Sequence, residues 1–176
     1  VNRILRRTIL AAAGFFAIVA LAGTESFAQT LPAGLDPRLV ALSNGPSGLK
    51  WIGGDRESPL MNPGQNCIGC HSKGEGPRFA VAGTVYTKLD EKDLDFGVEG
   101  ATVQVTDSKG QVLKLVTNKA GNFMSSRNAT LSYPITAKVV YKGKELAMAT
   151  PQKTGNCMLC HTSKGMGGAP GRVIIP

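Results

Sequence analysis

The sequence is short of histidine: His71 and His161 are the only two in 176 residues. A Ser/His/Asp relay needs a histidine of its own. Both histidines here follow directly on a cysteine pair, so a hydrolase of that type is not expected. There is one tryptophan, Trp51, and only four cysteines. Those four fall in two close pairs, Cys67/Cys70 and Cys157/Cys160, which is not the scatter of a disulfide-stapled secreted domain. Acidic residues are also few: 12 Asp and Glu stand against 20 Lys and Arg, a formal net charge of +8. A basic balance suits acidic partners, an anionic membrane surface or a wall polymer. It does not point to nucleic acid, because there is no arginine-rich run and no interleaving of aromatics with basic residues.

Long apolar runs are missing except near the start. Arg3, Arg6 and Arg7 precede an apolar stretch of about 15 residues, Ile9 to Gly23, and Ser26-Phe27-Ala28 follows with small residues at 26 and 28. That is the three-part layout of a secretory signal, with cleavage expected before Gln29. The run is shorter than the roughly 20 residues that span a bilayer, which argues against an uncleaved anchor. Residues 1–28 are therefore read as a signal peptide, and the mature protein as periplasmic or extracellular, at the cell surface.

Three regions follow. Residues 29–78 hold Pro32, Pro37, Pro46, Pro59 and Pro63 and read as irregular, with one helical turn near Asp36–Leu42. Trp51 there is expected to plug a small core, with packing on a cofactor face as the alternative. Residues 79–150 carry strand signals. Val81 to Thr87 is β-rich, and Ala101 to Thr106 alternates apolar and polar as a half-buried strand does. Asp107-Ser108-Lys109-Gly110 is a turn, Gln111 to Thr117 the returning strand, and Asn118-Lys119-Ala120-Gly121 a second turn before Asn122–Ser126. Ile135–Tyr141 and Lys144–Ala149 form a last hairpin across Lys142-Gly143. The expectation is a mainly β chain: a small antiparallel β-sandwich of about six strands, flanked by two irregular segments, residues 29–78 and 151–176. The Asp90–Asp95 cluster reads as a solvated loop, with a weak calcium site as the sharper alternative.

The middle region resembles the carboxypeptidase regulatory-like, transthyretin-like β-sandwich family. The likeness rests on Ala82-Gly83-Thr84-Val85-Tyr86, Gly100 to Val105, Asp107 to Gly110 and Thr117 to Phe123. It implies a scaffold and not a catalyst.

Each cysteine pair sits in a Cys-x-x-Cys-His motif: Cys67-Ile68-Gly69-Cys70-His71 and Cys157-Met158-Leu159-Cys160-His161. Two thiols one helical turn apart can add to the two vinyl groups of a haem, with the adjacent imidazole placed for the iron. This is the attachment signature for c-type haem. Two copies in a chain that carries a leader use all four cysteines and both histidines. The competing readings fit less well. Zinc ribbons space their cysteine pairs more closely, a thioredoxin-like dithiol wants a βαβ context, and two local disulfides leave the histidines unexplained. The cofactor expectation is two covalently bound haem c groups.

The two motifs have similar flanks. Each follows an Asn, and each leads to a Lys-Gly turn and then to Pro with Arg close behind, at Arg78 and Arg172. These arginines are candidate propionate contacts, with solvated side chains as the plain alternative. Within one chain the sixth iron ligand is not expected to be histidine, because none is left; a ligand lent by another chain is the alternative. Methionine comes next, and His/Met ligation raises the reduction potential. Met61 lies six residues before Cys67 and Met148 nine before Cys157, so these two are the candidates in either pairing. Met166 stands as a fallback, and ordinary core filling is the alternative for any of them.

Taken together, Met61 to Pro176 resembles a group of secreted bacterial dihaem c-type cytochrome-like proteins. In these, two such motifs bracket a regulatory-like β-domain, and the chain ends in a stretch like Gly168-Ala169-Pro170-Gly171-Arg172. The resemblance implies a dihaem cytochrome and no specific pathway. The chain departs from the small monohaem cytochrome c fold, since the segment before Phe79 is too short and too helix-poor to build one. The leading expectation is single-electron transfer with redox partner proteins, the two haem motifs meeting at one pole of the sandwich. The alternatives are a haem enzyme or a gas or peroxide sensor with one open iron, and a β-sandwich binding module with accessory haems.

Overall fold

The computed structural model describes residues 40–42, 45–51 and 58–176. The expected signal, residues 1–28, lies outside them. Among the described residues no helix is long and apolar enough to cross a membrane.

The chain is mainly β. The expected strands of the middle region form: β3 (Ala82–Tyr86), β4 (Thr102–Thr106), β5 (Val112–Val116), β6 (Asn122–Met124), β7 (Thr136–Tyr141) and β8 (Lys144–Ala147). Turn chemistry sets their connections. Gly110 N–H donates to Asp107 O at 3.0 Å and Gly121 N–H to Asn118 O at 2.8 Å. Lys142 and Gly143 both take positive φ, 48° and 77°. That is the turn whose twist suits a two-residue hairpin.

Four of these strands make one antiparallel sheet in the order β5-β4-β7-β8. A second sheet faces it, with β3 between β6 and a short strand β9 (Val173–Ile174). Val81, Val85, Val103, Val105, Leu115, Phe123, Ile135 and Val139 fill the space between them. Full burial of one such side chain contributes about 1.5–3 kcal/mol. The sandwich differs from the expectation in one pairing: β9 runs parallel to β3, with Val85 opposite Val173 and Tyr86 opposite Ile174.

The N-terminal flank is also less irregular than its composition suggests. Val40–Leu42 (β1) pairs antiparallel with Leu49–Trp51 (β2). A strand thus stands where the helical turn was expected at residues 40–42, while residues 36–39 lie outside the described ones. Trp51 is 1% exposed and packs with Val40, Ala120, Leu60 and Phe96. Its Nε1–H donates to Asp95 O. It is a core residue, and it ties β2 to the middle region.

β3 is the spine that positions everything else. All five of its residues are buried. A strand with one face in a core normally alternates, so its second face must also be covered. On that face Thr84 Oγ1 accepts from Gly64 N–H at 2.8 Å and donates to Asn122 Oδ1 at 2.7 Å. Asn122 Nδ2 in turn donates to Met61 O at 3.0 Å. These buried polar bonds moor residues 59–64, and the first cysteine motif follows directly.

Candidate functional site

The two motifs have one local design. Asn66 and Asn156 take nearly the same backbone conformation, φ −76°, ψ 77° and φ −82°, ψ 82°. Those angles suit an inverse γ-turn. Cys67 N–H accordingly donates to Gln65 O at 2.9 Å, and Cys157 N–H to Gly155 O at 3.1 Å. Each turn launches a short helical stretch: α1 (Cys67–Cys70), which runs on into a π-helical turn over His71–Glu75, and a 3₁₀ turn at Cys157–Leu159. In both, the histidine N–H bonds back to the carbonyl of the first cysteine. This local geometry puts the two thiols of a pair one turn apart. No disulfide joins any of the four cysteines.

Each imidazole is anchored through the same ring atom. His71 Nδ1 lies 2.8 Å from Pro77 O, and His161 Nδ1 lies 2.9 Å from Gly171 O. A carbonyl oxygen can only accept, so Nδ1 is the donor in each contact, and Nε2 is the ring nitrogen left for another partner. Such an outer bond orients a metal-binding histidine and raises its basicity. In each case the acceptor residue immediately precedes the arginine of the flank. The wrap around His71 needs a residue without a side chain at Gly76, where a Cβ would lie 2.7 Å from the imidazole. Phe79 packs against the same ring at 4.8 Å between centroids.

The surroundings differ. The first motif lies on the outer side, with no buried residue in α1. The second is an excursion from the edge of β3. Gly155 O accepts from Ala82 N–H at 3.1 Å and Asn156 bridges to Ala82. The chain then loops out through the motif and returns as β9 beside Val85 and Tyr86. Cys157 packs on the sandwich core. It can do so because β3 has Gly83, where a Cβ would sit 3.1 Å from Cys157 Cβ and 2.7 Å from the Phe123 ring.

A cavity of about 300 Å³ opens between the β4-β7-β8 face and this loop. Cys157, Cys160, His161, Met148 and Arg172 all line it, together with Val103, Val105 and Ala137. That volume is at the low end of the usual range for small-molecule and cofactor sites. Met148 is therefore brought to the second motif. Met61 is held through its main-chain carbonyl to Asn122. The fallback, Met166, is 59% exposed. The two arginines separate as well. Arg78 is exposed, whereas Arg172 is 8% exposed, with its guanidinium 5.4 Å above the Tyr86 ring and Nε donating to Glu91 O at 3.4 Å. Burial pushes the Tyr86 hydroxyl well above its ordinary range, against the pull of Arg172. That hydroxyl stays protonated and donates to Leu94 O at 3.0 Å.

The motifs touch. Asn156 Nδ2 donates to Asn66 Oδ1 at 2.6 Å. Burial first, and the nearby Cys67 second, push the Cys157 thiol up to about 12. Burial also raises the Cys67 thiol. A redox dithiol depends on a lowered thiol pKa, so these two are poor candidates for that chemistry. Among the described residues no three His, Cys, Asp or Glu side chains converge as a metal site, at the motifs or at Asp90–Asp95.

Compared with known protein families, with curated proteins and with solved structures, the chain matches none. The resemblances noted above therefore stand on the residues quoted for them. Sequence reasoning passed over three residues that matter here. Asn66 and Asn156 were visible as a repeated Asn-Cys step, but nothing local says that their side chains meet. Gly83 reads as an ordinary strand glycine until Cys157 is found against it.

Proposed function

We propose that this protein is an exported dihaem c-type cytochrome that passes single electrons between redox partners in the periplasm or at the cell surface. One observation carries the reading: at both Cys-x-x-Cys-His motifs the imidazole Nδ1 is tied to a main-chain carbonyl, leaving Nε2 as the donor atom beside two thiols. The residues fit the group. Cys67 and Cys70, and Cys157 and Cys160, would hold one haem each by thioether bonds, with His71 and His161 on the irons. When bound, haem supplies a one-electron ferric/ferrous couple. The chain's own residues do the rest. Val103, Val105 and Ala137 give the second site an apolar wall. Met148 offers a thioether sulfur to that site, and Met61 is the candidate for the first. Arg172 lines the cavity as a propionate contact, and Arg78 is the corresponding residue at the surface.

A second reading, a haem enzyme or sensor with one open iron, has one observation in its favour. The first motif is at the surface, and the contact that holds Met61 is made by its carbonyl and not its sulfur.

Intact mass and optical spectra of the purified protein test both readings. Two haem additions with two low-spin centres are expected of the electron carrier. A high-spin, five-coordinate signal would favour the enzyme or sensor. A mass without haem would refute both.

A further inference from the structure

Asn66 and Asn156 occupy equivalent positions, yet their side chains do different work. Asn66 Oδ1 caps its own turn, accepting from Gly69 N–H at 2.7 Å. Asn156 does not cap its turn; Leu159 N–H goes to the Asn156 main-chain oxygen instead. The Asn156 side chain reaches across to the other motif and donates Nδ2 to Asn66 Oδ1. Its orientation is fixed by elimination. Asn66 Oδ1 is identified as an oxygen by the Gly69 N–H it accepts, so Asn156 must present its NH₂ to it. That choice leaves Asn156 Oδ1 buried without a partner, on a residue only 7% exposed. A buried acceptor left unpaired is costly. The local cap has been given up for a bond between the motifs.

We propose that Asn66 and Asn156 are positioning residues that set the distance and angle between the two haems, and so their electronic interaction. This rests on the dihaem reading above. Each asparagine is bonded directly to the first haem-attaching cysteine, so a bridge between the two attachment points runs Cys67–Asn66···Asn156–Cys157. A side chain at the surface of one motif could leave the other haem to drift; a bond between the two turns cannot be lengthened without breaking it.

The test uses the full holoprotein and two variants, Asn66→Ser and Asn156→Ala. Serine at 66 keeps a capping oxygen for Gly69 but is too short to reach Asn156, so it separates bridging from helix capping. Two haems held close and at a fixed angle give a split, two-signed circular dichroism band in the Soret region. Wild type is expected to show that split band. Both variants are expected to lose it while intact mass still counts two haems. If Asn156→Ala does not fold, Asn66→Ser alone carries the test. A variant that keeps the wild-type split band overturns the proposal, and so does an unsplit band in wild-type protein carrying two haems. A wild-type mass without two haems overturns the dihaem reading instead, and with it this inference.

Discussion

The two cysteine motifs share a backbone design and differ in what lies behind them. The first stands on residues 59–64, which hang by side-chain hydrogen bonds from Thr84 and Asn122. None of its helical residues is buried. The second is a loop pinned at both ends to β3 and backed by a cavity in the sandwich. A motif can thus specify attachment chemistry locally while its solvent access is set elsewhere. On the proposed reading, the first site is the one open to a partner, with Lys73 and Arg78 exposed beside it. The second is the sheltered one.

The sharpest way to break this pairing is to remove one site at a time. Cys67→Ala with Cys70→Ala, and Cys157→Ala with Cys160→Ala, should each lower the intact mass by one haem and leave the other site loaded. A double variant that keeps both haems would sink the reading. Next comes the methionine comparison. Met148→Ala should convert one low-spin centre to high-spin and lower its potential, because a sulfur ligand raises it. Met61→Ala should do the same to the other centre; unchanged spectra in both would rule out methionine ligation.

Two glycines should separate the sites at smaller scale. Gly83→Ala should destabilise the fold by about 1–3 kcal/mol, the usual cost of overpacking, and disturb the second site, since the added Cβ meets Phe123 and Cys157. Gly76→Ala should leave thermal stability nearer wild type and shift the spectrum of the first site, by crowding the His71 ring. Melting curves and spectra of the two variants would show whether the effects separate as expected.

A residue of the shared scaffold should act on both sites alike. The Ser132 N–H, with those of Gln111 and Lys109, holds the Asp107 carboxyl below its ordinary range despite its desolvation. A carboxyl with a lowered folded-state pKa stabilises at pH above its unfolded value. That contribution is lost as pH falls through the folded value. Asp107→Asn should therefore flatten the acid side of the stability profile without favouring either motif. The least effect is expected from Glu145→Ala. It removes the exposed 2.8 Å pair with Lys138, worth about 0–1 kcal/mol, and melting should barely move.

The middle strands were legible because their causes are local. Alternation at Ala101–Thr106, the Asp107 and Asn118 turns and the Lys142-Gly143 hairpin each act within a few residues. β1, β2 and β9 were not: strands of two or three residues have no period to read, and β6, of the same length, was marked only by the Asn118–Gly121 turn before it. β1 and β2 exist by pairing with each other, and β9 by pairing with distant β3. The antiparallel expectation missed β9 for that reason, since its parallel partner β3 lies far earlier in the chain.

The same division holds at the candidate site. Cysteine and histidine spacing is a property of the chain, because thioether attachment and the neighbouring imidazole need particular atoms one helical turn apart. The sequence by itself therefore determined which six side chains form the two motifs, and that it holds no third histidine. Only the tertiary structure decided which carbonyls hold the imidazoles, that Met148 shares a cavity with His161, that Arg172 is buried while Arg78 is exposed, and that Asn66 meets Asn156. Most of these depend on β3 being covered on both faces, which brings residues 59–64 and the C-terminal segment onto one strand. No short stretch of sequence contains that fact.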